Sequence, residues 1–249
     1  MRSIFLCSTL LAMFCQAQTP PPHFAWDQDA VHEIRIKFAQ ADWYQQLVKN
    51  YAGTEVSAPY LEASIEWGKY KFEKIGVRFK GNSSYSAANG QKKPFRLKLN
   101  EFVKGQKIQG IGAFNLNNFW SDPSFVRESP YFEMAKAVGL KAPRSNYAAL
   151  FINDKYWGLY GLGEVVNSDF LQNYFGKNED TGNLYKANIG ATFAYLGEGK
   201  AAYKEFWEKQ TNEEDDDWTD LIALCRLLNE TPTAELRAKM EAVMDVTVF

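Results

Sequence analysis

The chain has 249 residues, with 28 Lys+Arg against 30 Asp+Glu, 46% hydrophobic and 15% aromatic residues, a composition that excludes a disordered or collagen-like chain. A formal net charge of −2 at pH 7 supplies no global field for nucleic acid or an anionic membrane, so any anion site has to be local. The length suits one large domain or two small ones, and 7 Trp, 13 Tyr and 18 Phe suffice for a core.

Residues 1–17 combine Arg2, an apolar stretch that ends near Phe14, and Gln16-Ala17 ahead of Gln18. This is the pattern of a secretory signal peptide cleaved near Ala17. The apolar stretch is too short to span a bilayer and no other segment is apolar enough, so the mature chain is expected to be exported, to a secreted, periplasmic or cell-surface place, without a transmembrane segment. Cys7 and Cys15 leave with the signal, and Cys225 then stands alone in an apolar run. It reads as a small core residue, and no disulfide framework remains. His23 and His32 lie away from any cluster at ligand spacing, which supports neither a zinc site nor a His-based triad.

Residues 18–30, with Pro20-Pro21-Pro22, read as an extended lead-in that the folded domain does not need. Residues 31–38 alternate at Ile34, Ile36 and Phe38, and residues 42–48 switch to helical spacing: strand, then helix. Residues 61–67 and 70–80 are β-rich and flank Gly68-Lys69, a hairpin pattern. A Ser- and Gly-rich loop at 81–90, too flexible for regular structure, precedes renewed alternation at 93–100. Asp122-Pro123-Ser124 marks a helix start and Gly139 a stop, enclosing Phe125, Phe132, Met134, Ala135 and Val138, with a kink at Pro130. Residues 147–152 and 156–166 form a second hairpin around Asn153-Asp154-Lys155. Helical patterns follow at 169–175, 201–209, 218–228 and 234–244, so the fold class is α+β, with strands first and helices second. The acidic run at 213–217 reads as the solvated cap of the helix after it, in preference to a metal site.

If the strands flanking the Ser-rich loop pair, Arg78, Lys80, Arg96 and Lys98 share one face. Like charges so placed are eased by an anion, and Ser83, Ser84 and Ser86 with the loop N–H groups would complete a phosphate cradle. On spacing alone, a wet outer sheet face explains the same cations. Gly158, Gly161 and Gly163 fall inside one strand, which fits either a flat ligand against the backbone or close packing beneath Trp157 or Tyr160. Glu128 lies beside the apolar stripe of its helix, where it can meet a cation, and Glu133 is the alternate.

The motifs that carry a wider resemblance run in order: Gly76-Val77-Arg78-Phe79-Lys80-Gly81-Asn82-Ser83-Ser84, Lys92-Lys93-Pro94-Phe95-Arg96-Leu97-Lys98-Leu99, Asn115-Leu116-Asn117-Asn118, and Asp122-Pro123-Ser124-Phe125-Val126-Arg127-Glu128. Ala142-Pro143, Phe151-Ile152-Asn153, Tyr156-Trp157-Gly158-Leu159-Tyr160 with Glu164, and Gly182-Asn183-Leu184-Tyr185-Lys186 complete the set. Together they resemble the spore-coat protein H (CotH) kinase family, from about Val31 onward.

The resemblance implies an atypical protein-kinase-like fold. It places a β-rich nucleotide-binding N-lobe at 31–166 and the start of a helical C-lobe at 167–249. It implies an exported kinase that transfers phosphate from Mg-ATP to Ser or Thr of secreted or coat proteins. Read through it, residues 81–86 cover the nucleotide, although the G-x-G-x-x-G of ordinary kinases is absent. Lys98 with Arg96 beside it binds phosphate, and Glu128 or Glu133 orients that lysine. Glu164 to Asn167 forms the hinge, where the backbones of Val165 and Val166 meet adenine. The acceptor-positioning Asp and the Mg²⁺-binding acid are expected beyond Phe249, after a helix that begins like Asp245-Val246-Thr247-Val248-Phe249, and Asp245 reads as a helix cap. The rival reading is a non-catalytic surface or coat module that keeps the lobe as a scaffold.

Overall fold

Alternate apolar residues of successive strands, among them Ile34, Ile36, Ile65, Trp67, Val77, Phe79, Phe95, Leu97, Phe114 and Leu116, are all buried in one cluster. A sheet can bury a single face against itself only by rolling up. The computed structural model, which describes residues 22–52, 58–176, 181–244 and 246, does this with seven strands. The expected signal segment at 1–17 and Asp245 lie outside the described residues.

The strands are β1 (His32–Lys37), β2 (Leu61–Trp67), β3 (Tyr70–Phe79), β4 (Phe95–Lys98), β5 (Ala113–Asn117), β6 (Ser145–Ile152) and β7 (Lys155–Glu164). Their order is β1-β2-β3-β4-β5-β7-β6, and β6 returns to pair with β1 in parallel, His32↔Ala148 through Ile36↔Ile152. The α+β class stands, but the expected antiparallel lobe is a closed barrel with one parallel seam, which leaves no bare sheet edge. In the β6–β7 hairpin the turn residues Asn153 and Asp154 both take positive φ, 49° and 64°, the twist-matched two-residue turn that Asn and Asp tolerate. Helix α1 (Trp43–Tyr51) buries Trp43, Leu47 and Tyr51, four residues apart on one face.

The lead-in needs correction. Residues 24–26 form a single 3₁₀ turn whose Ala25 and Trp26 are buried. Nδ1 of His23 accepts from the Ala25 N–H at 3.0 Å, and its Nε2 bonds the Ile108 carbonyl oxygen at 2.9 Å. Burial lowers the His23 pKa, and that hydrogen-bond pair suits a neutral ring. The rings of Phe24 and Trp26 lie 5.6 Å from Trp67 and 5.9 Å from Phe114. Aromatic burial, invisible in a proline-rich stretch, makes this segment part of the core.

Three further differences have local causes. Within the loop at 81–90, residues of α2 (Ser83–Ser86) complete one helical turn. Helix α3 (Glu128–Ala137) starts six residues later than read, because Asp122 caps a turn and not the helix. Its carboxylate accepts from the N–H groups of Ser124 and Arg127 and from the Ser124 hydroxyl, and Phe125 at φ 64° breaks the helical run. Pro130 then falls in the first helical turn, where no N–H is needed.

After α4 (Ser168–Phe175), the expected helix at 201–209 divides into α5 (Lys200–Lys204) and β9 (Trp207–Lys209), the latter pairing with β8 (Tyr185–Ala187). Helices α6 (Thr219–Glu230) and α7 (Thr233–Glu241) follow. Cys225 is fully buried beside Tyr203, Trp207 and Trp218. In the acidic run Asp217 accepts from the Thr219 N–H at 2.9 Å, and Asp216 pairs with Lys200 and Lys204. Among the described residues, no helix is long and apolar enough to cross a membrane.

Candidate functional site

The antiparallel register of β3 and β4 sets Arg78 opposite Arg96 and Lys98 opposite Gly76. Their apolar neighbours point into the barrel, so Arg78, Arg96 and Lys98, with Lys80 one residue past β3, come out on the other face. All four line one cleft of about 540 Å³, within the roughly 300–1,000 Å³ range of small-molecule sites. Asn115 and Asn117 of β5, Glu128 and Phe132 of α3, residues 163–167 at and just past the end of β7, and Tyr185, Lys186, Glu208 and Gln210 of the β8–β9 ribbon add further walls.

Neighbouring side chains hold these cations, two of them from β5. The Arg96 Nε donates to Asn115 Oδ1 at 2.7 Å, and Lys80 Nζ to Asn117 Oδ1 at 3.1 Å. Lys98 pairs with Glu101 at 2.7 Å. The Tyr60 ring lies between Arg78, 4.7 Å away, and Lys98, 5.5 Å away, so its π face eases two like charges.

Glu128, at the first position of α3, accepts from Asn117 Nδ2 through both carboxylate oxygens, at 2.8 and 2.7 Å. Burial raises its carboxyl above the usual value, against the opposing pull of the Asn117 amide and Lys80. A carboxyl raised in this way binds more protons folded than unfolded, so its ionisation costs stability as pH rises through the interval between the two values. The Glu128→Gln variant is therefore expected to gain stability over the parent above the ordinary glutamate value of about 4.3 and to lose that advantage below it. Thermal unfolding across pH reads the difference, and one that stays flat with pH contradicts it.

Other expected site residues lie elsewhere or act differently. Ser83 and Ser84 do not line the cleft; the Ser84 carbonyl instead accepts from Asn118 Nδ2 at 3.0 Å. Glu133 is exposed and pairs with Lys136 at 2.9 Å. Lys98, paired with Glu101, is not the lysine that meets Glu128; Lys80 holds that place through Asn117. Glu164 reaches the cleft wall, but its carboxylate is engaged by the Arg144 guanidinium at 2.5 Å and by the Arg144 N–H at 3.0 Å. Val166 also lines the cleft, half exposed, next to buried Val165.

Packing accounts for the missing side chain at Gly161. A Cβ on Gly161 would meet the Phe119 ring at 3.1 Å, and one on Gly163 the Glu128 carboxylate at 3.4 Å. Asn115 and Asn117 are the cleft positions that residue chemistry alone passed over. The alternation of Phe114 and Leu116 with the two asparagines runs over too few residues to mark the strand by itself.

The sequence model of the CotH family, described as CotH kinase protein, matches residues 77–249, more than two thirds of the chain. Invasin CotH3 of Rhizopus delemar is 29% identical over 214 residues, 82% of this chain and 34% of that protein. Inner spore coat protein H of Bacillus subtilis is 24% identical over 152 residues, 59% of this chain and 41% of that protein. Invasin CotH2 of Rhizopus delemar is 25% identical over 122 residues, 47% of this chain and 20% of that protein. The matched region thus spans well under two thirds of each relative's length. With the motifs running in order through β3, β4, β5, α3 and β7, and with the family match extending to residue 249, the chain belongs to the CotH kinase protein family.

Proposed function

We propose that the cleft binds the phosphates of Mg-ATP, and that the protein is the nucleotide-binding part of an exported kinase acting on Ser or Thr of secreted or coat proteins. One observation carries this reading: four cations from adjacent strands converge on one cleft. A triphosphate suits such a wall, because charged donors at fixed spacing match several phosphate oxygens at once. Arg78, Lys80, Arg96 and Lys98 would hold the phosphates, and the Val165–Val166 backbone would meet the base.

Among the described residues, no group of three or more His, Cys, Asp or Glu stands together to hold a metal. A Mg²⁺ bound with the nucleotide would neutralise phosphate charge, beside the phosphates that Arg78, Lys80, Arg96 and Lys98 would hold. The surface location implied by the apolar N-terminal segment agrees with the names of the relatives, a spore coat protein and invasins.

Isothermal titration of the whole chain with Mg-ATP and with inorganic tripolyphosphate tests the reading. Micromolar binding of both anions is expected. Absence of binding to either would falsify the proposal and favour the scaffold reading.

A further inference from the structure

Lys80 sits at the end of β3 and Glu128 at the start of α3, on elements far apart in the chain. Between them stands one side chain, Asn117 of β5. Its Oδ1 accepts from the Lys80 ammonium at 3.1 Å, and its Nδ2 donates to both Glu128 oxygens, at 2.8 and 2.7 Å. An amide is suited to this because one rigid planar group carries an acceptor for the cation and donors for the carboxylate. Across from Asn117 in the ladder is Gly161, and two residues further along that strand is Gly163, where a Cβ would touch the Glu128 carboxylate at 3.4 Å and the Asn117 amide nitrogen at 3.5 Å.

We propose that Asn117 is a positioning residue of the cleft, its side-chain amide bridging the Lys80 ammonium to the Glu128 carboxylate and thereby fixing the cation at the wall that receives phosphate. The inference rests on the phosphate-binding reading above. A carboxylate in place of the amide would still accept from Lys80 but would set a second negative charge against Glu128. Lys80, Asp122 and Tyr147 are the other titratable groups that face Glu128 there, from the end of β3, the loop before α3 and β6. Two carboxylates sharing one site cannot both ionise cheaply, so the pair takes up a proton as pH falls. Once the pair is protonated, Asn117→Asp regains an acceptor for Lys80 and one hydrogen bond to Glu128 in place of the amide's two.

The test is the affinity of inorganic tripolyphosphate for the parent, Asn117→Asp and Asn117→Leu, read as the variant-to-parent ratio at each pH so that titration of the ligand cancels. Thermal unfolding of each protein is run beside it. Asn117→Asp is expected to bind about tenfold more weakly at neutral pH and to return toward the parent as pH falls. Asn117→Leu is expected to stay weak at every pH. Ratios near one, or a loss in Asn117→Asp that ignores pH while the protein remains folded, overturn the proposal and leave the phosphate reading standing. A parent that binds no tripolyphosphate overturns both.

Discussion

The Arg96→Met, Lys98→Met double variant is expected to bind Mg-ATP at least roughly a hundredfold more weakly than the parent, while unfolding within a few degrees of it. A hydrogen bond to a charged group contributes about 1.5–3 kcal/mol, and every 1.4 kcal/mol or so is tenfold in affinity. Methionine keeps the aliphatic stems of both side chains over the sheet, and its loss of charge also removes repulsion from Arg78, the cross-strand partner of Arg96. Affinity should therefore fall without the fold suffering. Calorimetric titration beside a thermal melt separates the two quantities, and unchanged affinity would remove these residues from phosphate binding.

A chain that starts at Val31 is expected to unfold at a markedly lower temperature than the full chain. Trp26 is 9% exposed and Ala25 0%, and the Arg144 guanidinium lies 5.5 Å from the Trp26 ring. Trp26→Ala alone should cost about 3–5 kcal/mol, or about 10 °C for a chain of this size. Removing the whole turn also bares Trp67 and Phe114 at one end of the barrel. Equal unfolding temperatures for the two chains would restore residues 18–30 to the status of a dispensable leader.

The cation face was legible because β3 and β4 each alternate strongly and are joined by a single loop, so their pairing follows from local pattern. β5 was not legible: it has five residues, two of them Asn, and Asn favours turns. Missing it hid Asn115 and Asn117, the partners that place Arg96 and Lys80. Glu128 and Glu133 are five residues apart, about 140° around a helix, so only one can face the cleft. That choice depends on where α3 begins, which Asp122 obscures by capping the turn before it. The β8–β9 ribbon pairs strands of three residues each, and such short runs carry little periodicity of their own. The parallel seam has no local signature whatever, since it joins segments from opposite ends of the barrel sequence.

Because β1 pairs with both β2 and β6, the first strand to be made waits for one of the last. A chain emerging from the ribosome has β1 to β5 in hand with one flank of β1 still unpaired, until Ser145–Ile152 arrives to cover it. Contacts so distant in sequence must overcome the entropy of closing a long loop before they return any energy, which places barrel closure late and makes folding slow. During that interval the open flank of β1, with Ile34 and Ile36 beside it, is a template for other strands. Newly made protein is thus most exposed to misassembly between the completion of β5 and the arrival of β6, and a chaperone that binds extended apolar segments would act on this intermediate.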